Sequence, residues 1–289
     1  MKSLPGCYEC SIDQLKRLCA NVPCDDEQRR RVIARARDES SKVPLDRPPA
    51  EISNVCYRIA AEMLGDDDLY REEKAAHNRA AMRLLPDMRR MLDESEDRLA
   101  LAVRLAVVGN LLDLALVNPP TPEEILQRAR STTLAIDHSH QLVSDLKTMR
   151  ELLYICDNAG EIVFDMLLAE ELARATGAHT VFAVRGGPVM NDATMDDALE
   201  VGLDKVGRVV TTGSSYLGVS YEHSSPEFGD LLRNAGMVLA KGHANFETMP
   251  DGHPRTYHLL TAKCEPVGAE LGVSVFDSVL WKRPSAVPT

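Results

Sequence analysis

Hydrophobic positions recur with two different periods along this 289-residue chain, and the period changes near its middle. Up to about residue 145 the apolar side chains return every three to four residues, the spacing of helices that bury one face. Ile52, Val55, Cys56, Ile59, Ala60 and Met63 share one such face, and Leu99, Val103, Ala106, Val107 and Leu111 another. The pattern predicts helices over 11–18, 25–40, 52–64, 70–92 (one helix, or two meeting near Pro86) and 97–116. Pro44, Pro48 and Pro49 interrupt it, as does Asn118-Pro119-Pro120-Thr121-Pro122, because proline cannot continue a helix interior. Pro122 with Glu123 and Glu124 then begins a further helix.

From Glu151 the texture changes. Short apolar runs near 151–156, 180–185, 207–211, 237–240 and 258–263 alternate with helical segments near 160–176, 194–203, 225–235, 244–249 and 265–271, and a last strand is expected over 273–276. This alternation is that of right-handed βαβ crossovers building a parallel sheet. The expected fold class is α/β, with a mostly parallel Rossmann-like sheet and an N-terminal all-helical subdomain. The boundary is placed so that 1–145 is helical and 146–289 carries the sheet.

Each apolar run ends in a polar loop. The loops are Asp157-Asn158-Ala159-Gly160-Glu161, then Arg185-Gly186-Gly187 leading to Asn191-Asp192, then Thr211-Thr212-Gly213-Ser214-Ser215, then Lys241-Gly242-His243-Ala244-Asn245, and last Lys263-Cys264. In an open parallel sheet the strand C-termini lie on one edge, and ligands bind in the crevice there. The order of residues therefore gathers acids, amides and lysines around one place.

Asp157 and Asn158 sit where a buried strand gives way to a helix, whose free N–H groups favour an anion. A carboxylate beside a carboxamide supplies oxygen ligands for a hard divalent cation; the alternative is that Asp157 only caps the helix. Asp192, beside Asn191 at a second strand-to-helix junction, adds a third oxygen donor, and the set Asp157, Asn158 and Asp192 leaves coordination positions open for water and substrate. Lys241 ends an apolar strand, so its ammonium is expected at the crevice as a point charge for phosphate, or else as a snorkelling surface group. Gly242 permits close approach of a ligand to the backbone, and Asn245 can direct an amide at a phosphate or hydroxyl. Arg185 has two readings, a partner for a substrate anion or for Asp192. Gly213-Ser214-Ser215 offers backbone N–H groups or is a plain turn.

Gly109-Asn110 and Asp113 interrupt an apolar helix, either as an interhelical hydrogen bond or as a wall of the crevice that points Asn110 or Asp113 at the substrate. Cys7, Cys10, Cys19 and Cys24 match no common structural zinc spacing and read better as buried thiols. His138 and His140, and the run Arg29-Arg30-Arg31, read as solvated.

Composition narrows the function classes. A net charge of −11 argues against nucleic acid as the main partner, since phosphate backbones want a basic face. No apolar stretch approaches a membrane span, Met1-Lys2-Ser3-Leu4-Pro5-Gly6 lacks the apolar core of a signal peptide, and seven cysteines suit a reducing compartment. A cytoplasmic location is expected; the oligomeric state is not legible. No glycine-rich G-x-G-x-x-G follows the first strand and no Walker motif is present, which gives nucleotide-cofactor chemistry little support.

Three segments together resemble the damage-control phosphatase family, formerly catalogued as domain of unknown function 89. They are Asp157-Asn158-Ala159-Gly160-Glu161-Ile162-Val163-Phe164-Asp165, Pro188 with Asn191-Asp192-Ala193-Thr194, and Lys241-Gly242-His243-Ala244-Asn245-Phe246-Glu247. Cys7-x-x-Cys10 and Gly109-Asn110-x-x-Asp113 resemble the branch found largely in archaea and bacteria. The resemblance implies a three-layer α/β/α sandwich joined to a helical subdomain, and a metal-dependent phosphatase of small phosphorylated metabolites such as sugar phosphates or damaged cofactor precursors. It implies a divalent ion, Mg²⁺, Mn²⁺, Co²⁺ or Ni²⁺, held by Asp157, Asn158 and Asp192, with Lys241 and Asn245 contacting phosphate. Catalysis is expected of Asp157, Asp192 and Lys241, and substrate binding of Glu161, Arg185, Lys241, Gly242, Asn245 and Asn110. Metal-activated water and direct attack by a carboxylate both remain open as routes. His243-Ala244 departs from the Gln-Gly or Asp-Leu often found in relatives, which bears on substrate choice. The rival classes are an S-adenosylmethionine-dependent carboxyl methyltransferase and a non-catalytic metabolite-binding protein.

Overall fold

The computed structural model describes residues 1–109, 121–249 and 255–284. Its first part is helical: α1 (Gly6–Asn21), α2 (Asp26–Ser40), α3 (Pro49–Leu64), α4 (Arg71–Glu94), α5 (Arg98–Val108) and α6 (Pro122–Ser131). Local signals set several of these ends. Asp25 and Gln28 form a reciprocal capping box at α2, and Thr121 and Glu124 form another at α6. Gly65 closes α3 in the left-handed conformation. Pro86 does not divide α4, which runs through it as one helix.

Strands and helices then alternate as β1 (Leu134–Asp137), α7 (Ser139–Met149), β2 (Glu151–Ile155), α8 (Glu161–Thr176), β3 (His179–Val184), α9 (Met195–Val201), β4 (Arg208–Thr211), α10 (Pro226–Asn234), β5 (Val238–Lys241), α11 (Gly242–Thr248), β6 (Thr256–Thr261), α12 (Glu265–Leu271) and β7 (Ser278–Lys282). They form one seven-stranded sheet in the order β1-β7-β6-β5-β2-β3-β4. Every neighbouring pair is parallel except β6 with β7. The chain moves outward from β2 through β3 to β4, then returns to place β5 on the other side of β2. The β2/β5 boundary is thus the point where connections leave in opposite directions, and a crevice opens there.

Alternation along the strands produces the layers. Leu152, Tyr154, Phe182, Val184 and Leu239 face one side, in a core shared with α4, α5 and α8. Leu153, Ile155, Val181, Ala183, Val238 and Ala240 face the other, packed with Phe228 and Leu232 of α10. The fold is the expected α/β sandwich. Helices α1, α2 and α3 make a separate core, which also takes in Val189, Leu217 and Ala244. The helical half is therefore not self-contained: α4 and α5 belong to the main core while α1–α3 cover the loops at the sheet edge.

Two elements differ from expectation. β1 lies in the segment read as wholly helical, so the sheet begins before the boundary placed at 145. His138 is half-buried rather than solvated, its Nδ1 accepting from the Lys282 N–H at 2.9 Å. The final strand is β7, not 273–276. The apolar run there is a turn, in which the Ser274 N–H donates to Asp277 Oδ2 and Phe276 takes a left-handed φ of 72° with 77% of its surface exposed. Of the helix expected over 97–116, α5 is the described part; Asn110 and Asp113 lie outside the described residues. Among the described residues no helix is long and apolar enough to cross a membrane.

Among the polar contacts that join the two halves, one is made by a buried acid whose titration is shifted. The buried carboxylate of Glu247, on α11, accepts from the Ala50 N–H at 2.9 Å, in the first turn of α3. Burial pushes the Glu247 carboxyl up from 4.5 to about 7. The unfolded group ionises near 4.5 while the folded one holds its proton longer, so stability falls as pH rises between those values. Glu247→Gln, which keeps an acceptor for Ala50, is expected to melt with wild type at pH 4.5 and progressively above it towards pH 7. A melting difference that stays constant across that range would contradict this.

Candidate active site

The acids on separate strands meet because their loops are stitched together. After β2, the Ala159 N–H donates to the Asn191 carbonyl at 2.9 Å; the Asp157 carbonyl accepts from the Ala193 N–H at 2.8 Å. Asn158 and Asp192 form an isolated antiparallel bridge between the two. Met190 accepts a left-handed φ of 47° to turn the chain back, and the Asp192 N–H closes on the Val189 carbonyl at 3.1 Å. Residues 35 apart in sequence, Asp157 and Asp192, are thereby brought onto facing loops.

Gly160 and Gly242 make the geometry possible. Gly160 has φ 76°, and a β-carbon there would lie 2.8 Å from His77 Cβ, so α4 packs directly on this turn. Its N–H donates to Asn78 Oδ1 at 2.7 Å, and the Asn78 amide donates in turn to Asp197 and Glu200 at 3.0 and 2.7 Å. At Gly242, with φ 74°, a β-carbon would fall 2.0 Å from Asp157 Oδ2. The Asp157 carboxylate lies over a bare Cα at the end of β5, a placement any side chain at 242 would forbid.

The ammonium of Lys241 does not emerge at the crevice. It is 1% exposed and donates to Glu161 Oε1 and Asp165 Oδ1, each at 2.6 Å, and to the Ala106 carbonyl at 3.0 Å. Tyr154 adds a hydroxyl to the same Asp165 oxygen at 2.7 Å. Burial works against the lysine charge, but Asp165 and Glu161 more than reverse that, and its pKa is raised. Burial lifts Asp165 to about 6 despite this pairing.

Arg185 takes the structural one of its two readings. It is buried, with Nε donating to Asp192 Oδ2 at 2.6 Å and its terminal nitrogens donating to the Gly218 carbonyl at 2.8 Å and to Asn245 Oδ1 at 2.9 Å. Asn245 is equally enclosed: its amide donates to the carbonyls of Lys241 and Cys156 at 2.7 and 3.1 Å. It braces β2, β5 and Arg185 instead of reaching outward. Gly213-Ser214-Ser215 packs on Gly186, whose N–H donates to the Ser214 carbonyl at 2.9 Å.

Asp157 is where charge accumulates. Burial raises its pKa well above the ordinary range; the negative charges of Asp192 and Glu161 raise it further, and Lys263 and Arg185 act in the other direction. Asn158 spends its amide nitrogen on Asp157 Oδ2 at 2.9 Å and Glu161 Oε2 at 3.0 Å, so its carbonyl end is the one available as a ligand.

Beside these loops lies a cavity of about 360 Å³. Asn158, Ala159, Met190 and Asn191 form one side; Tyr70, Glu73 and His77 of α4 and its N-terminal flank, and Gly109, form another. Helix α1 contributes Cys10, Gln14, Arg17 and Asn21, spaced along one stripe, and Lys263 enters from the loop after β6. Sequence reading missed the residues from α1 and α4. Their signal was present as polar positions at helical spacing, but only the fold shows that these stripes face the sheet edge. The cysteines are free thiols among the described residues, and Cys10 lines the cavity.

The chain matches the sequence profile of the damage-control phosphatase ARMT1-like domain over residues 3–279. It belongs to that family. It is 33% identical, over 94% of its length and 95% of the relative's, to a damage-control phosphatase of Pyrococcus horikoshii. It is 34% identical to a damage-control phosphatase of Archaeoglobus fulgidus, covering 96% of this chain and 98% of that one. An uncharacterized protein of Methanocaldococcus jannaschii is 32% identical over 98% of this chain and 96% of its own. A crystal structure of a DUF89 family protein from Pyrococcus horikoshii superposes with a TM-score of 0.88 at 31% identity, covering 98% of this chain and 99% of that one.

In this family member the Arg185–Asp192 pair is shut away from water on both sides. Removing one partner of a buried pair strands the other charge, at about 3–5 kcal/mol. Arg185→Met is expected to lower unfolding stability in urea by about that amount; a loss within error of zero would show that Asp192 does not depend on the guanidinium.

Proposed function

We propose that this chain is a divalent-metal-dependent phosphatase that hydrolyses phosphomonoesters of small metabolites. The named relatives support the reaction class, since two of them are damage-control phosphatases aligned over nearly the whole chain. The observation that carries the metal reading is the convergence of Asp157, Asn158 and Asp192, with Asp157 raised in pKa by burial and by the charges of Asp192 and Glu161. Crowded carboxylates in a buried site hold a proton or take a compensating cation, and a divalent ion would supply that positive charge here.

The donors fit such an ion in chemistry. Among the described residues no three His, Cys, Asp or Glu side chains form a metal-holding group by themselves, so the set relies on the Asn158 carboxamide. Two carboxylates and an amide oxygen suit Mg²⁺ or Mn²⁺, and Co²⁺ or Ni²⁺ less selectively. A bound ion would supply positive charge to phosphoryl oxygens and lower the pKa of water at the site. The protein's part is to hold Asp157 over Gly242, to fix Asp192 through Arg185, and to orient Asn158 through Glu161, itself fastened by Lys241. Hydrolysis breaks the bond between phosphorus and the ester oxygen; water provides the new oxygen on phosphorus and, through its protons, the hydrogen of the departing alcohol. The cavity beside Asn158 is of a size for a small phosphorylated metabolite, and its walls of amide, hydroxyl and charged groups favour a polar one. The loop after β2 carries Asp157-Asn158 where a methyltransferase would need glycine-rich backbone, so that reading gains no support.

Asp157→Asn and Asp192→Asn preserve side-chain volume. Each is expected to lower Mn²⁺-dependent turnover of p-nitrophenyl phosphate by more than about 100-fold while circular dichroism stays that of the folded protein. Wild-type turnover by either folded variant would refute the assignment.

A further inference from the structure

We propose that Lys263, not Lys241, receives the substrate phosphate, and that His243 positions it; the inference rests on the phosphatase reading above. A lysine ammonium has three N–H donors. Those of Lys241 are all engaged, by Glu161, Asp165 and the Ala106 carbonyl, in a site 1% exposed. For Lys241 to contact phosphate it would have to abandon a buried carboxylate, which is the costly way to break such a pair. Arg185 is enclosed in the same manner.

Among the described residues two exposed cations line the cavity, Arg17 of α1 and Lys263, and of these only Lys263 stands beside the strand-end loops that place Asp157. It is exposed, it lines the cavity together with Asn158 and Asn191, and it also borders the small cleft formed by Glu161, Gly242 and His243. It therefore stands beside both loops that place Asp157. Its charge reaches that carboxyl, opposing the effects of burial, Asp192 and Glu161. Among the described residues its ammonium enters no ion pair, whereas its backbone is fixed. The Lys263 N–H donates to His243 Nε2 at 2.8 Å. The same nitrogen lies 2.8 Å from the Thr261 carbonyl, so one edge of the ring meets the backbone of the Lys263 loop at two points. Burial, followed by the Lys263 charge, lowers the His243 pKa to about 4, which favours a neutral ring. His243 directly follows Gly242, so one ring ties the Lys263 loop to the backbone beneath Asp157. This gives a physical use to the histidine that departs from the family pattern in the Lys241-to-Asn245 segment.

The test uses the full chain with Mn²⁺. Lys263→Met is expected to raise both KM for p-nitrophenyl phosphate and the inhibition constant of inorganic phosphate by about tenfold or more, with a smaller change in kcat and an unchanged Mn²⁺ requirement. Lys263→Arg restores most of the loss. His243→Gln shifts KM and the phosphate constant in the same direction, to a lesser extent, which a general loss of packing would not do selectively. Wild-type values of both constants in Lys263→Met would overturn the inference. If the wild type hydrolyses nothing with any divalent ion, the phosphatase reading fails by itself. Melting-temperature shifts with Mn²⁺ and inorganic phosphate then decide the lysine separately: a phosphate shift in wild type that Lys263→Met lacks sustains it, and no such difference rejects it.

Discussion

A lysine ammonium buried between two carboxylates is an expensive feature that only pays if every member stays in place. Lys241 ends β5, Glu161 and Asp165 lie one turn apart on α8, Ala106 belongs to α5, and Tyr154 to β2. Four elements thus depend on one charge. Desolvating that charge is unfavourable by several kcal/mol, and the pairing must repay it. Replacing the lysine would leave two acids buried against the main core. The constraint also sets the position of α8, and with it the turn at Gly160 and the aim of Asn158.

The polar arrangement is layered from inside outward. Lys241 answers Glu161 and Asp165; Arg185 answers Asp192 and holds Asn245; Asn158 lines the cavity at the rim, its amide bonded to the buried Asp157. The inner groups fix the positions of those at the rim. Helices α1 and α4 complete the enclosure, with Asn78 of α4 bonded directly to the Gly160 backbone. That contact explains why the helical half cannot be an appendage: it forms part of the wall around the acids.

Strands β2 to β6 were legible because buried parallel strands read as unbroken apolar runs. β1 was not, being four residues long and alternately half-buried and exposed at the sheet's edge. Val273 to Phe276 misled for the opposite reason, as an apolar run that is a turn. Asp157, Asn158 and Asp192 could be found since strand ends in such a sheet share one edge. The inward course of Lys241 could not be seen from its own strand; it follows from Glu161 and Asp165, two acids four residues apart in the apolar helix Glu161–Thr176. That spacing was the available clue, because acids on a buried helix face demand a partner. Lys74, His77 and Asn78 on α4 gave a similar clue: polar residues sharing the buried side of an amphipathic helix with Ala81, Leu84 and Met88.

The central claim is that the repulsion gathered at Asp157 is resolved by a divalent ion held jointly by loops from two strands. Anomalous diffraction from crystals of the full chain grown with Mn²⁺ tests this most directly. The account predicts a single strong peak within coordination distance of oxygens of Asp157, Asn158 and Asp192. A peak elsewhere with none among these three, or no bound manganese at concentrations that support turnover, would contradict it.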